Sequence, residues 1–200
     1  MQSYVVHFIR HGTTEANLKG QLYGVGDIPI CQEGRENLEN LKENFKYPFA
    51  KEYYSSPMKR CLETCNIIYP DAKIEIVEDL RECDIRDNKD GEKGETWEEL
   101  YKRVTAAFEK IVESMMRRSV TSAVIVSHGG VIMTLLAQYG IPKAQPTMWM
   151  VNNGCGYSVR ITPGLWMREK VFEVYDKVPL GADVTLSGKL KDVIDNLKKQ

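Results

Sequence analysis

Residues 5–17 read Val5-Val6-His7-Phe8-Ile9-Arg10-His11-Gly12-Thr13-Thr14-Glu15-Ala16-Asn17. From residue 4 to residue 9 the chain is mostly β-branched and aromatic, which predicts a buried strand. Arg10 and His11 follow where this strand should end, and Gly12 allows a sharp turn behind them. Arginine holds planar anions with a two-pronged fork, and histidine can attack or shuttle protons near neutral pH. The stretch predicts an oxyanion pocket at the carboxyl end of a strand; the alternative is a solvated strand end.

The composition narrows the classes of function. The chain has 200 residues, 42% of them hydrophobic, which suits one domain or one domain with a small appendage. The formal net charge is −1, so no basic excess favours nucleic acid or an anionic membrane as a partner. No apolar run approaches the roughly 18 residues of a membrane span, and the N-terminus has no signal-peptide pattern. The five cysteines are odd in number and irregularly spaced, and no export signal is present, so we predict reduced thiols in a cytoplasmic protein.

Predicted strands and helices alternate along the chain. Strands are expected at 4–9, 52–55, 74–77 and 123–127, and helices at 32–45, 57–68, 97–117 and 131–139. Two further strands, 157–161 and 166–174, would form a hairpin around residues 163–164. This alternation predicts an α/β fold, a three-layer α/β/α sandwich whose central sheet is mostly parallel.

Two of the predicted helices begin with capping signals. Ser56 precedes Pro57, a residue suited to the first turn of a helix, so Ser56 is expected to be the cap. Thr96 and Glu99 form a capping box at the start of the longest helix. The helices after Pro57 and Gly130 are expected to direct free N–H groups toward one rim of the sheet, where they favour an anion.

Chemically active side chains follow the predicted parallel strands. Ligands of open α/β sheets bind beyond the carboxyl ends of the strands. Past successive strands lie Arg10 with His11, then Arg60, Glu82 and His128. Taken singly, these residues have structural explanations, such as a surface salt bridge between Arg60 and Glu82 or a helix cap at His128. Two arginines, two histidines and a carboxylate at one edge instead predict a single anion site.

A metal or nucleotide site has less support in the sequence. His7 and His11 form a His-x3-His pair, but four residues of a strand span about 13 Å. One zinc ion cannot bind both, because Zn–N bonds are about 2 Å long. Neither G-x-x-x-x-G-K-[ST] nor G-x-G-x-x-G occurs. We therefore expect no metal and no cofactor, and we expect His7 to be a core or edge residue.

The motifs also occur in an order that resembles one family. Residues 8–17 look like the signature of the histidine phosphatase superfamily, also called the phosphoglycerate mutase-like family. The resemblance covers about residues 4 to 161, and the ordered set is far more specific than Arg-His-Gly alone. It continues through Gly24, Asp27, Pro29, Gly34-Arg35, Ser55-Ser56-Pro57, Arg60, Thr64, Leu80-Arg81-Glu82 and Val126-Ser127-His128-Gly129-Gly130.

The resemblance implies a phosphoglycerate mutase-like fold and a role for each residue of the site. His11 would be the nucleophile that takes the phosphoryl group. Glu82 would protonate the leaving group and then act as the base for water. The phosphoryl oxygens would be clamped by Arg10, Arg60 and His128. The resemblance also implies a substrate-binding set of Asn17, Tyr23, Gly24 and Gly129, with no metal.

The sequence departs from the family's mutases in ways that favour a phosphatase. Those mutases have an insertion after the acid and Asn-Ser after the second His-Gly, whereas this short chain continues Gly130-Val131. Relatives usually follow the glutamate with Asp-Phe-Gly-x-Trp-Glu-Gly, but residues 84–94 here are polar and charged. Glu82 remains the candidate acid, with Asp79 and Asp84 as competing candidates.

These features predict a metal-independent phosphomonoesterase that acts through a phosphohistidine on a small soluble phosphate ester. Alpha-ribazole phosphate, a sugar phosphate and phosphoglycerate all stay open as substrates. The alternatives are phosphoglycerate mutase-type transfer and a non-catalytic protein that binds a phosphorylated ligand. Residues 1–176 would form the catalytic domain. Apolar residues at helical spacing predict a helical extension at 177–200, packed on the domain or at a dimer contact of a monomer or homodimer.

Overall fold

The computed structural model describes residues 2–21, 26–83 and 94–185. Two short 3-10 helices, Glu78–Leu80 and Pro146–Trp149, belong to this part of the chain. The described strands are β1 (Tyr4–Arg10), β2 (Glu52–Ser55), β3 (Ile74–Ile76), β4 (Ser122–Ser127), β5 (Gly140–Ile141), β6 (Gly156–Ile161) and β7 (Phe172–Val178). The described helices are α1 (Glu15–Leu18), α2 (Gln32–Asn44), α3 (Lys59–Ile68), α4 (Trp97–Arg118), α5 (Gly129–Tyr139) and α6 (Pro163–Glu169).

The seven strands form one sheet in the order β3-β2-β4-β1-β6-β7-β5. Strands β3, β2, β4 and β1 are parallel to one another, and β7 pairs in parallel with β5. Only β6 runs antiparallel to its neighbours within this sheet. The predicted α/β fold with a mostly parallel sheet is therefore confirmed. Because β1, β2, β3 and β4 run in the same direction, their carboxyl ends lie at one edge of the sheet, which is where ligands of such folds bind.

Helices cover both faces of the sheet, because successive side chains of a buried strand point to opposite faces. Phe8 of β1 packs with residues of α4, α5 and α6, whereas Ile9, the next residue, packs with residues of α2 and α3. The first layer is anchored by Phe108, Leu135 and Trp166. The second layer is anchored by Leu38, Cys61 and Cys65.

The connection between β6 and β7 differs from the predicted hairpin. Residues 163–169 form helix α6, and β7 begins only at Phe172. Pro163 fits the first turn of a helix, and Trp166 turns into the core, where its ring lies edge-on to Phe108 at 5.8 Å. A hairpin would have placed Trp166 in a strand, so the expectation of a strand over 166–171 was wrong. The antiparallel pairing of β6 with β7 is present.

The predicted cap of α3 also differs from the structure. The N-cap is Met58, without a side-chain cap bond, and the helix begins at Lys59. The Ser56 hydroxyl lies instead 2.8 Å from the His128 ring, although the Met58 N–H reaches it at 3.4 Å. At α4 the capping box of Thr96 and Glu99 forms as predicted.

The described part of the C-terminal segment packs against the domain. Strand β7 ends at Val178, Val184 is buried in the core, and Thr185 bridges Val151. Most of the predicted helix, residues 186–200, lies outside the described residues, and the boundary at 176 stays a prediction. None of the helices that the structure describes is both long and apolar enough to cross a lipid bilayer.

Candidate active site

The register of the parallel strands brings three chain segments together. Arg10, the last residue of β1, lies opposite Ser127, the last residue of β4. The next residue, His11, donates its backbone N–H to the Ser127 carbonyl at 2.9 Å. On the other side of β4, the Ser56 N–H donates to the Val126 carbonyl at 3.0 Å. The residues that follow β1, β2 and β4 are therefore adjacent at the predicted edge.

His11 is buried and held in one tautomer. Its Nδ1 lies 2.8 Å from the carbonyl oxygen of Gly12, and since a carbonyl only accepts, Nδ1 carries the proton. The lone pair of the neutral ring is therefore on Nε2. Burial, followed by the charges of Arg60 and Arg10, lowers the pKa of His11 well below its usual value. At neutral pH the ring is therefore neutral, which is the form whose lone pair is free to attack.

Arg10 is buried beside this ring. Its Nη1 donates to the carbonyl of Val151 at 2.7 Å, whereas its buried Nε has no hydrogen-bond partner among the described residues. Burial lowers its pKa to about 10, against the opposing charge of Glu82, so the guanidinium stays charged at neutral pH. A Cβ on Gly129 would lie 3.6 Å from this Nε, in van der Waals contact with it.

Arg60, from the first turn of α3, brings a second buried guanidinium to the site. Its side chain is nearly inaccessible, and Nη1 donates to the Gly26 carbonyl at 2.8 Å. Its charge helps to lower the pKa values of both His11 and His128. Burial lowers the pKa of Arg60 itself. Because Arg60 is buried, the alternative of a surface salt bridge with Glu82 does not apply.

His128 occupies the N-cap position of α5 but makes no capping hydrogen bond with its side chain. The ring is fully buried, with Nε2 2.8 Å from Ser56 Oγ and with its centroid 5.3 Å from that of the His11 ring. Burial is the largest cause that lowers its pKa well below the usual value, and His11, Arg60 and Arg10 add to it. The helix-cap explanation for His128 therefore fails.

Glu82 approaches the site from the segment after β3. Its Oε1 accepts the N–H of Cys83 at 3.0 Å, and the backbone of Gly130 also hydrogen-bonds to the carboxylate. Burial raises the pKa of Glu82 and outweighs these hydrogen bonds and the charges of both arginines. The carboxylate of Asp79 is 49% exposed and lies 3.8 Å from Arg81. The other competing acid, Asp84, lies outside the described residues.

Comparison with known proteins agrees with this arrangement. The sequence model described as the histidine phosphatase superfamily (branch 1) matches residues 6–90 and 85–173. The chain belongs to the histidine phosphatase superfamily. This family, predicted from the motifs, is therefore confirmed.

Relatives of this histidine phosphatase superfamily member carry both phosphatase and mutase names. It is 29% identical over 182 residues to the uncharacterized phosphatase PhoE of Bacillus subtilis (strain 168), covering 80% of this chain and 90% of PhoE. It is 27% identical over 185 residues to phosphoglycerate mutase-like protein 4 of Arabidopsis thaliana, covering 76% of each chain. It is 24% identical over 178 residues to the adenosylcobalamin/alpha-ribazole phosphatase of Escherichia coli (strain K12), covering 76% of this chain and 88% of that enzyme.

A solved structure shares the fold of this histidine phosphatase superfamily member. The crystal structure of phosphoglycerate mutase from Bacillus anthracis str. Sterne superposes with a TM-score of 0.71 at 19% identity. The match covers 98% of this chain and 97% of that one. The predicted phosphoglycerate mutase-like fold is therefore confirmed.

The predicted substrate-binding residues are only partly described in this histidine phosphatase superfamily member. Asn17 Oδ1 accepts the backbone N–H of Thr14 at 3.1 Å and the side-chain N–H of Asn153 at 3.2 Å. Asn153 also donates to the His11 carbonyl at 2.9 Å, so Asn17 is linked through Asn153 to the His11 backbone. Tyr23 and Gly24 lie outside the described residues.

Several residues of the site carry no signal that predicted their position. Ser56 contacts His128, Asn153 contacts the His11 backbone, and Met150 Sδ lies 3.7 Å from Arg10 Nη1. The turn-forming sequence Asn152-Asn153-Gly154 is the one local hint, since such residues mark sharp turns. These contacts join distant parts of the chain, so spacing along the sequence does not reveal them.

Arg103 of α4 holds the segment that carries Glu82. Its Nη1 donates to the carbonyls of Asp79 at 2.7 Å and Arg81 at 3.1 Å. Its Nε and Nη2 each lie 2.6 Å from a carboxylate oxygen of Glu95, and both side chains are nearly buried. One guanidinium thus fixes the residue before Glu82 and the residue that leads into α4.

Proposed function

We propose that this chain hydrolyses phosphate monoesters of small molecules through a phosphohistidine on His11, without a metal ion. The observation that carries the proposal is the His11 ring. Its Nδ1 donates to Gly12, which leaves the lone pair on Nε2 in a buried site with two guanidinium groups. Phosphoryl transfer needs mainly positioning and neutralisation of charge on the phosphoryl oxygens, which Arg10 and Arg60 supply.

In the first step His11 Nε2 attacks phosphorus and the bond from phosphorus to the ester oxygen breaks. Arg10, Arg60 and His128 bind the three non-bridging oxygens. An alkoxide is a poor leaving group, so Glu82 gives its proton to the departing oxygen. The raised pKa of Glu82 favours the protonated acid that this step uses. The products are the alcohol, the Glu82 carboxylate and phosphorylated His11.

In the second step water attacks phosphorus and the bond to Nε2 breaks. The Glu82 carboxylate takes a proton from the attacking water, which regenerates the acid, and inorganic phosphate leaves. Two easier displacements replace one difficult one. The lowered pKa of His11 and the raised pKa of Glu82 set opposite limits on activity. The rate rises as His11 loses its proton and falls once Glu82 loses its own at higher pH.

Two observations support a phosphatase over a mutase. Gly130-Val131 follows His128-Gly129 where the mutases have Asn-Ser, and PhoE, a relative matched over most of its length, is named a phosphatase. Alpha-ribazole phosphate, a sugar phosphate and phosphoglycerate are the candidate substrates, and the names of two relatives refer to the first and the third. We also propose a cytoplasmic monomer or homodimer that binds neither nucleic acid nor membrane. All five cysteines are free and buried, which is typical of a reducing compartment.

A phosphatase screen over a panel of metabolite esters tests the proposal. We expect phosphate release by the wild type and at least a ~10³-fold loss of kcat in His11→Ala, with circular dichroism showing a folded protein. His7→Gln serves as the matched histidine control and keeps turnover. Excess chelator should leave the rate unchanged, and vanadate should inhibit. No release from any ester, or near wild-type turnover by folded His11→Ala, would contradict the proposal; a dependence on added bisphosphate would indicate a mutase.

A further inference from the structure

A cavity of about 460 Å³ lies between the amino-terminal part of α4 and one side of α5, from Gly130 to Gln138. Trp97 and Tyr101 form its wall on α4, and Met133 and Ala137 form its wall on α5. Pro146 belongs to the third side. Pockets for small ligands have volumes of roughly 300–1,000 Å³. The cavity is therefore large enough for a ring system.

The cavity adjoins the acid of the proposed reaction. Gly130 is part of its lining, and the same residue lies against Glu82, since a Cβ on Gly130 would be 2.5 Å from Oε1. The Pro146–Trp149 segment provides a second connection. Met150, the next residue, lies 3.7 Å from Arg10 Nη1. The same two stretches of chain thus border both the cavity and the phosphoryl site.

The chemistry of the lining is aromatic and neutral. No charged side chain is present among the described residues that line it. Trp97 is 65% exposed, although tryptophan is usually well buried. Met133 offers a polarisable side chain, which makes favourable contacts with rings. Thr134, Gln138 and Thr147 add neutral polar groups, but no described lining residue brings a positive charge, so the surface favours an uncharged aromatic group over an anionic one.

We propose that this cavity is the subsite for the alcohol part of the ester, and that it takes an aromatic, uncharged alcohol. The inference rests on the proposed function, because Glu82 must touch the oxygen that leaves. The alcohol attached to that oxygen must therefore lie near Glu82, and the cavity reaches this carboxylate through Gly130, which lines the one and contacts the other. The described lining thus favours an aromatic ester over phosphoglycerate, whose alcohol carries a carboxylate.

The kinetic test compares 2-phenylethyl phosphate with ethyl phosphate, which have similar alkoxide leaving groups. The wild type should prefer the aromatic ester in kcat/KM. Trp97→Ala should lower that preference about tenfold, the effect of one lost aromatic contact. Ala137→Phe, which fills the cavity from the opposite wall, should lower it as well. Phe49→Ala, at an aromatic residue that is 80% exposed elsewhere, is the matched control and should leave the ratio unchanged.

A binding test separates this inference from the proposed function. Calorimetry compares 3-phenylpropylphosphonate with propylphosphonate, two analogues of these esters that cannot be hydrolysed. Tighter binding of the aromatic phosphonate, lost in Trp97→Ala but not in Phe49→Ala, would support the subsite even if no ester were turned over. Equal binding of the two phosphonates by the wild type would overturn it, as would equal losses on both esters in Trp97→Ala.

Discussion

Gly130 faces the Glu82 carboxylate so closely that a Cβ on it would lie 2.5 Å from Oε1. The backbone of the glycine hydrogen-bonds to this carboxylate at the amino end of α5, an interaction that favours the charged form. Burial acts in the opposite direction and prevails, so the pKa of Glu82 is raised. Gly130, a residue without a side chain, therefore helps to position the Glu82 carboxyl group and partly offsets the effect of burial on its pKa.

Gly130→Ala should displace the acid without unfolding the protein. The new methyl group would collide with Oε1, and a displacement of about 1 Å at a catalytic group costs about 10²-fold in rate. We expect this loss in single turnover with an alkyl phosphate and a smaller loss with p-nitrophenyl phosphate. Gly164→Ala is the matched control, since a Cβ there would meet nothing within 4 Å. Equal rates for wild type and Gly130→Ala would contradict the contact.

Glu82→Gln should discriminate between leaving groups. The amide keeps the shape of the side chain but cannot supply the acid proton. Single turnover with excess enzyme isolates phosphorylation of His11, and there the alkyl ester should slow by about 10²–10⁴-fold. The nitrophenyl ester should slow far less, because nitrophenolate is stable as an anion. If both esters slow equally, and Asp84→Asn shows the selective loss instead, Asp84 is the acid.

Arg103→Lys should slow the phosphorylation of His11, because Arg103 holds the segment that carries Glu82. Lysine cannot reproduce the fork that holds Glu95 and the carbonyls of Asp79 and Arg81. We expect about a tenfold loss on the alkyl ester in single turnover and a smaller one on p-nitrophenyl phosphate, because the residue positions Glu82.

The control for this prediction is Arg160→Lys, which changes an arginine whose ion pair with Glu173 is largely exposed. Thermal unfolding should show that both variants are folded before the rates are compared. A loss of equal size on the two esters in folded Arg103→Lys would show that the arginine does not act through the acid.

His7 should contribute to the pH dependence of stability. Its ring is buried, with Nδ1 2.8 Å from Ser158 Oγ, and burial lowers its pKa from 6.5 to about 4. Between these values the unfolded chain binds a proton that the folded chain does not, so stability falls as the pH falls from 6.5 to 4. A shift of this size corresponds to about 3 kcal/mol.

The measurement is denaturant unfolding of wild type and His7→Gln at pH 8 and pH 4. Glutamine can keep a hydrogen bond to Ser158 but does not titrate. Between pH 8 and pH 4 the free energy of unfolding should therefore fall by about 3 kcal/mol less in the variant than in the wild type. His11 and His128 titrate in the same direction in both proteins and cancel in the difference. If the free energy of unfolding falls by the same amount in wild type and His7→Gln between the two pH values, His7 has no such role.

The sequence by itself predicted the sheet edge and the residues that meet there. Arg10 ends its strand, and His11 and His128 directly follow theirs. Since parallel strands all end at one edge, the order of these residues in the chain implies their proximity. The same local logic correctly predicted α2, because its apolar spacing is helical, and the start of α4, because a capping box is a signal four residues long.

Tertiary contacts decided what local patterns could not. The local sequence predicts that Ser56 is a helix cap, yet its hydroxyl contacts His128, 72 residues away. It also predicts that Trp166 lies in a strand, yet this residue belongs to helix α6 and packs against Phe108. Arg103 on α4 and Gly130 on α5 determine where Glu82 lies. Each of these contacts joins elements distant in the chain. Side-chain spacing encodes the period of one element, whereas the distance between two elements depends on how they pack.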